Sequence, residues 1–138
     1  MRDYWLYLLL FLVVVFLSWL EPLSSDWLMY DRELIERGQI WRLFSAHFVH
    51  LSTIHMLGNA MGIILLGYIA GKHLNNTLGL VLLLWCVLVV GLGLYWYADY
   101  LQRYVGLSGV LHGLLLVAPF ISRYYSWRVA CAFLIVIV

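Results

Sequence analysis

The sequence contains few charged residues, and this scarcity indicates the solvent in which the chain folds. Charged residues make up 11% of its 138 residues and hydrophobic residues 65%. A typical soluble domain has about 25% charged and about 45–50% apolar residues. The long apolar runs leave no room for a separate soluble domain and predict an integral membrane protein.

Clustered basic residues are also absent from the sequence, and there are only two cysteines. The formal net charge is +1, and no group of Lys and Arg provides the phosphate contacts that nucleic acids require. Cys86 and Cys131 lie in separate apolar runs, where a small buried thiol is the ordinary interpretation. We therefore expect no nucleic-acid partner, disulfide, metal or cofactor.

The apolar runs predict an all-α fold, a polytopic bundle of about five transmembrane helices in a single membrane domain over residues 1–138. The predicted helices are Tyr4–Leu20, Ser52–Gly71, Thr77–Ala98, Leu107–Ile121 and a partial run, Trp127–Val138. No small-x-small cleavage site follows the first run, so we expect that helix to be retained. The last run would rise only about 18 Å against a hydrocarbon core of about 30 Å. We therefore expect the chain to be truncated at its C-terminus.

One polar segment, Glu21–His50, separates the first two predicted spans. It holds five of the seven acids, and its Trp, Phe and Arg residues are typical of a loop along the membrane surface. The basic residues that flank the spans share the opposite side, which the positive-inside rule makes cytoplasmic; they are Arg2, Lys72, Arg123 and Arg128. The polar segment and the starts of the second and fourth spans are then predicted on the outer side.

Polar side chains inside the second predicted span suggest function, with a structural hydrogen bond as the alternative. In "HFVHLSTIHMLGNAMG", His55 and Asn59 are four residues apart and share one helix face. His50 lies off that face, on the loop above the helix.

The stretch "YVGLSGVLHGLLL" supplies a complementary set from the fourth span. Gly109 and Gly113 form a small-xxx-small pattern, for which close helix packing is the simplest explanation. Ser108 is predicted at the start of the helix, where backbone N–H groups are unpaired and the helix dipole is positive. A serine there, facing a His and an Asn from a neighbouring helix, has the parts of an oxyanion hole for acyl transfer.

These motifs resemble those of the rhomboid intramembrane serine proteases. "WRLFSAHFVHLSTIHMLGN" and "GLSG" are similar to the family's WR, His, His, Asn and GxSG pattern, and the longer strings "AHFVHLSTIHMLGN" and "VGLSGVLHGL" most resemble the rhombosortase branch. The resemblance implies that Ser108 is the nucleophile. It also implies that His50, Asn59 and the Ser108 backbone N–H form the oxyanion hole. Supporting positions are implied for Arg42, His55, Gly106, Gly109 and His112.

The resemblance also implies partners and a location. The substrates would be membrane-anchored proteins, cut at C-terminal anchors of the Gly-Gly type on exported proteins. The protein would lie in the lipid bilayer of a bacterial inner membrane, with its active site near the periplasmic side.

One departure from the family pattern leaves other interpretations open. Rhomboids complete their catalytic dyad with a histidine on a sixth helix, which the sequence does not contain, and His112 is the one substitute within reach of Ser108. We expect His112 to be a supporting residue rather than the base. The alternatives are a rhomboid-like pseudoprotease that binds transmembrane helices, a metal site of His47, His50 and His55, and a purely structural bundle.

Overall fold

The computed structural model describes residues 4–71 and 75–121, and this part of the chain is mostly helical. Seven α-helices follow in chain order: α1 (Trp5–Trp19), α2 (Leu23–Leu28), α3 (Arg32–Glu36), α4 (Arg42–Ser45), α5 (Thr53–Ala70), α6 (Asn76–Tyr97) and α7 (Ser108–Ile121). A 3₁₀ turn, Ala46–Phe48, continues α4. Two strands of two residues each, β1 (Tyr30–Asp31) and β2 (Arg103–Tyr104), complete the fold. The prediction of an all-α, rhomboid-like bundle is confirmed.

The four predicted helices that lie in the described residues begin and end within one residue of their observed bounds. Local capping explains part of this agreement. The Ser52 side chain accepts a hydrogen bond from the His55 N–H, and the Asn75 side chain accepts one from the Leu78 N–H. Two helices, Thr53–Ala70 and Asn76–Tyr97, are long and apolar enough to cross a membrane. The predicted run Trp127–Val138 and the four basic residues used for the orientation lie outside the described residues.

The core lies where α1, α5, α6 and α7 meet. Its members are apolar side chains with less than a tenth of their surface exposed, including Val14, Ile63, Val87 and Val110. Large apolar side chains on the outward faces stay exposed, as Trp5, Ile54 and Trp85 do. A bundle with an apolar exterior around an apolar core is the pattern expected in lipid.

The polar segment between α1 and α5 is more ordered than the predicted surface loop. It folds into α2, α3, α4, the 3₁₀ turn and β1. The Arg42 guanidinium, buried within this segment, donates to Gln39 Oε1 at 2.7 Å and to the carbonyls of Met29 and Asp26 at 2.8 Å each. One charged side chain thus satisfies backbone groups that the apolar surroundings leave without water.

The strands join this segment to the chain just before α7. β1 and β2 pair antiparallel, with Tyr30 opposite Tyr104 and Asp31 opposite Arg103. The Gly106 N–H donates to the Ala46 carbonyl at 3.0 Å, which adds a second connection. The sequence analysis did not predict this pairing, because two-residue strands carry no periodicity to detect.

Candidate active site

Ser108 begins α7, as the sequence predicts, and a turn that requires glycine precedes it. Gly106 has φ +111°, a conformation that side-chain-bearing residues rarely adopt. A Cβ at this position would lie 2.5 Å from His55 Cε1. Glycine at position 106 therefore allows both the turn into α7 and the close approach of this loop to the His55 ring.

A cleft of about 270 Å³ between α5 and α7 contains the candidate polar residues. Its polar lining consists of His55 and Asn59 from α5 and of Ser108 and His112 from α7. The remaining lining is apolar or glycine: Ile54, Gly58, Gly62, Leu111 and Leu115. A Cβ on Gly62 would lie 2.8 Å from Leu111 Cδ1, so α7 packs directly against α5 beneath the polar groups. The structure thus brings together Ser108, His55 and Asn59.

His50 is not among the residues that line this cleft, although it was predicted in the oxyanion hole. The His50 ring is buried below the loop and packs edge-on against His55, with ring centroids 4.9 Å apart. On its other side it borders a separate pocket with Ser18 and Glu21. The physical reason is the loop geometry: position 50 precedes the cap of α5, whereas position 55 lies in the first turn and faces α7. The histidine on the cleft wall is therefore His55.

Burial keeps His50 and the neighbouring His47 uncharged. Loss of water lowers the pKa of His47 from 6.5 to about 4, and loss of water together with the nearby His55 lowers the pKa of His50 to about 4. His47 was considered only as a metal ligand in the sequence analysis. Within residues 4–71 and 75–121, no three His, Cys, Asp or Glu side chains gather in a group that could hold a metal ion.

Asn59 is buried, and its amide group reaches back toward the N-terminal end of α5. One hydrogen of its Nδ2 donates to the His55 carbonyl at 3.2 Å. The second amide hydrogen has no partner among the described residues and belongs to a side chain that lines the cleft. Asn59 can therefore offer a hydrogen bond to a group bound in the cleft.

The His112 ring contacts the Ser108 backbone rather than its hydroxyl. His112 Nδ1 lies 2.7 Å from the Ser108 carbonyl oxygen, to which it donates. Since a neutral imidazole carries one N–H, Nε2 is then the acceptor nitrogen. In the described part of the chain, no imidazole nitrogen hydrogen-bonds to the Ser108 hydroxyl.

Gly109, predicted as a supporting residue, lies where α7 passes close to α6. A Cβ at Gly109 would lie 3.3 Å from Val90 Cγ1 and 3.6 Å from the Tyr104 hydroxyl oxygen. Its contribution is to helix packing next to Ser108.

Two residues near the site were missed by the sequence analysis. Tyr104 donates its hydroxyl hydrogen to the Gly106 carbonyl at 2.9 Å. Arg32 covers the end of α6, donating through Nη2 to the carbonyls of Tyr95 and Ala98 at 3.0 Å each and lying over the Tyr95 ring. The Arg32 bonds leave no signal in the sequence, because they join residues more than 60 positions apart. The Tyr104 bond is local, but it depends on the conformation of the Gly106 turn.

Burial raises the pKa of the Tyr104 hydroxyl above its usual value. The Ser108 side chain and the Gly109 backbone act in the opposite direction. Tyr104 thus stays a neutral phenol in direct proximity to the first turn of α7.

Comparison with known proteins agrees with this geometry. A family model described as the Rhomboid domain matches residues 37–138, which include α4, α5, α6 and α7. No curated protein sequence matches the chain significantly. Since the matched region covers well over half of the chain, the protein belongs to the rhomboid family.

Proposed function

We propose that this rhomboid is a serine endopeptidase that cuts membrane-anchored proteins and that Ser108 is its nucleophile. The main observation in support is a single cleft, in which Ser108 lies at the first turn of α7 and His55 and Asn59 lie on α5 opposite it. Rhomboids are generally intramembrane serine peptidases, which supports the same chemistry.

In this mechanism a general base takes the Ser108 hydroxyl proton as Oγ attacks the carbonyl carbon of the scissile peptide bond, and the same base gives that proton to the leaving amine. The family resemblance implies a histidine for this base. The carbonyl oxygen becomes an oxyanion, which takes hydrogen bonds from the Ser108 backbone N–H, the free Asn59 amide hydrogen and the His55 ring. Loss of the amine leaving group yields an acyl enzyme, and water then releases the carboxylate product. Removing one such donor in other hydrolases costs about 10²–10³ in rate, so His55 and Asn59 each carry a large share of the barrier reduction.

This assignment exchanges the roles of the two histidines relative to the sequence prediction. His55 contributes to the oxyanion hole because it borders the cleft with Ser108. His50 packs edge-on against the His55 ring and so restrains its position. Arg42 stabilises the segment that carries His50, through its three hydrogen bonds.

We further propose the rhombosortase specificity that the motifs suggest. The substrate would be an exported protein with a C-terminal anchor of the Gly-Gly type, cut near the periplasmic face of a bacterial inner membrane. The cleft is lined in part by Gly58, where a Cβ would have no atom within 4 Å, and this open space could take an extended substrate backbone.

A second candidate function is binding of transmembrane helices without cleavage. It is favoured by one observation: in residues 4–71 and 75–121, the imidazole that contacts Ser108 bonds to its carbonyl and not to its hydroxyl. A serine without a base is a poor nucleophile.

Release of a reporter from membranes distinguishes the two functions. A soluble reporter fused to a Gly-Gly transmembrane anchor is co-expressed with the wild-type chain, with Ser108→Ala or with Ser18→Ala. The Ser18 hydroxyl is buried without a hydrogen-bond partner in the described structure, so its removal serves as the matched control. We expect release with wild type and Ser18→Ala and at least a 10³-fold loss with Ser108→Ala. Undiminished release with Ser108→Ala would refute the protease proposal, and retention of the reporter by all three would favour helix binding.

A further inference from the structure

A second polar pocket lies where α1 ends and α5 begins, separate from the cleft that contains Ser108. This Glu21 pocket has a volume of about 330 Å³, and its lining includes Glu21, His50 and Thr53. The polar segment of the chain joins the two helix ends at this level. The pocket therefore lies near the membrane surface, where polar headgroups meet the apolar layer.

His50 brings two unpaired polar atoms to the Glu21 pocket. Only 1% of its surface is exposed, and neither Nδ1 nor Nε2 has a hydrogen-bond partner in the described part of the chain. A neutral imidazole has one N–H donor and one acceptor nitrogen, and leaving such buried atoms unpaired is unfavourable. A group bound in the pocket would supply the partners that the protein itself does not.

Glu21 gives the pocket a negative charge. Its Oε1 accepts a hydrogen bond from the buried Ser24 hydroxyl, which restrains the carboxylate and leaves Oε2 to bind a ligand. The described residues that line the pocket include no Lys or Arg to balance this charge. Since the described residues also contain no group that could hold a metal ion, the complementary ligand is an organic cation.

The start of α5 offers hydrogen-bond donors to an anion in the same pocket. Ser52 already satisfies two of the first four N–H groups of this helix, because its Oγ accepts from His55 and its carbonyl accepts from Met56. The N–H of Thr53, the first residue of α5, is one of the two that remain. Backbone amides at a helix N-terminus favour a phosphate group.

We propose that the Glu21 pocket binds the headgroup of a phospholipid that carries a primary ammonium group. The ammonium donates hydrogen bonds to Glu21 and to the acceptor nitrogen of His50, and the phosphate lies at the N-terminus of α5. A lipid is the source because Trp19 and Leu51, which also line the pocket, are 79% and 60% exposed and can contact acyl chains. The site does not depend on the chemistry of Ser108.

Native mass spectrometry of the purified chain in detergent tests the ammonium contacts. The probes are phosphatidylethanolamine and phosphatidylcholine with the same acyl chains, since a quaternary ammonium has no hydrogen to donate. A hydrogen bond between charged groups changes affinity by about tenfold or more, so we expect a Kd about tenfold lower for phosphatidylethanolamine. Glu21→Gln keeps an oxygen for Ser24 but removes the charge and should abolish this preference. Glu36→Gln removes an exposed acid outside the pocket and should retain it.

A second pair of variants tests the phosphate contact. Thr53→Pro removes the backbone N–H at the first helical position, where proline is well tolerated, and Thr53→Ala removes only the hydroxyl. Both lipids contain the phosphate, so Thr53→Pro should weaken the binding of both about threefold or more relative to Thr53→Ala. Thermal unfolding without added lipid verifies that each variant is folded.

Three results would overturn the proposal. Equal affinity of the wild type for the two lipids, or a preference that Glu21→Gln retains, would show that water rather than an ammonium group satisfies His50. Unchanged lipid binding by Thr53→Pro would exclude the phosphate contact at α5. Soluble phosphoethanolamine that binds as tightly as the lipid would assign the pocket to a soluble ligand.

Discussion

At the scale of single residues, the candidate site depends on which of two histidines lies beside Ser108. His55 lies on the cleft wall against Gly106, while His50 lies behind it, buried and edge-on to its ring. The sequence correctly placed His55 and Asn59 on one helix face, because spacing by four is a local property. It could not show which histidine faces Ser108, because that depends on how the Gly106 turn approaches α5.

Two buried neutral histidines also make the stability of the fold depend on pH. The pKa of His47 and of His50 is lowered to about 4 in the folded protein, against 6.5 in an unfolded chain. As pH falls below 6.5, the two histidines bind protons in the unfolded state but not in the folded state. The free energy of unfolding therefore decreases until the pH reaches about 4. Each histidine contributes up to about 3 kcal/mol to this loss.

We expect the free energy of unfolding in detergent to decrease by several kcal/mol between pH 7.5 and pH 4.5. In His47→Gln and in His50→Gln, the decrease should be about half as large, because one of the two titrating groups is gone. Identical pH slopes in the wild type and both variants would show that these burial effects do not control acid stability.

At the scale of secondary-structure elements, glycines determine how closely helices approach. A Cβ on Gly91 of α6 would collide with the Leu43 carbonyl of α4 and would lie 3.5 Å from His47 Nε2. Gly93, two residues further along the same helix, has nothing within 4 Å of the same hypothetical atom. Of these two glycines, only Gly91 is needed for the close approach of α6 to the segment that contains His47.

Gly91→Ala and Gly93→Ala form a matched pair for this contact. Since the obstacle at Gly91 is backbone, α6 must shift, and we expect a loss of about 1–3 kcal/mol in the free energy of unfolding. Gly93→Ala should be neutral or slightly stabilising, because alanine is the better helix former. Thermal unfolding of both variants in detergent measures the difference, and equal stabilities would contradict the packing described for α4 and α6.

At the scale of the whole molecule, the sequence predicted what local patterns determine. The four helices were found because an apolar run is a local feature of the sequence, and two of these helices begin at the capping residues Ser52 and Asn75. The helices within the polar segment, the sheet of β1 and β2, and the Arg32 cover on α6 were not predicted. The sheet and the Arg32 cover depend on contacts between residues far apart in sequence, for example the 63 positions that separate Arg32 from Tyr95. The helices of the polar segment are only four to six residues long, too short to show a period.

The same distinction applies to the candidate site. Ser108 at the start of α7 and Asn59 in register with His55 could be inferred from spacing, and both lie in the cleft. The contacts of Tyr104 could not be inferred, since they come from a strand pairing and from the fold of the Gly106 turn. Sequence motifs thus predicted the candidate residues, and the tertiary structure showed what surrounds them.

The central claim is that Ser108 is the nucleophile of the cleft between α5 and α7. The most direct measurement is mass spectrometry of the chain after reaction with a fluorophosphonate in membranes, with Ser108→Ala and Ser18→Ala treated in parallel. We predict one adduct, on the peptide that contains Ser108, in the wild type and Ser18→Ala and none in Ser108→Ala. An unmodified Ser108 in the wild-type chain, or an adduct that persists in Ser108→Ala, would contradict the account.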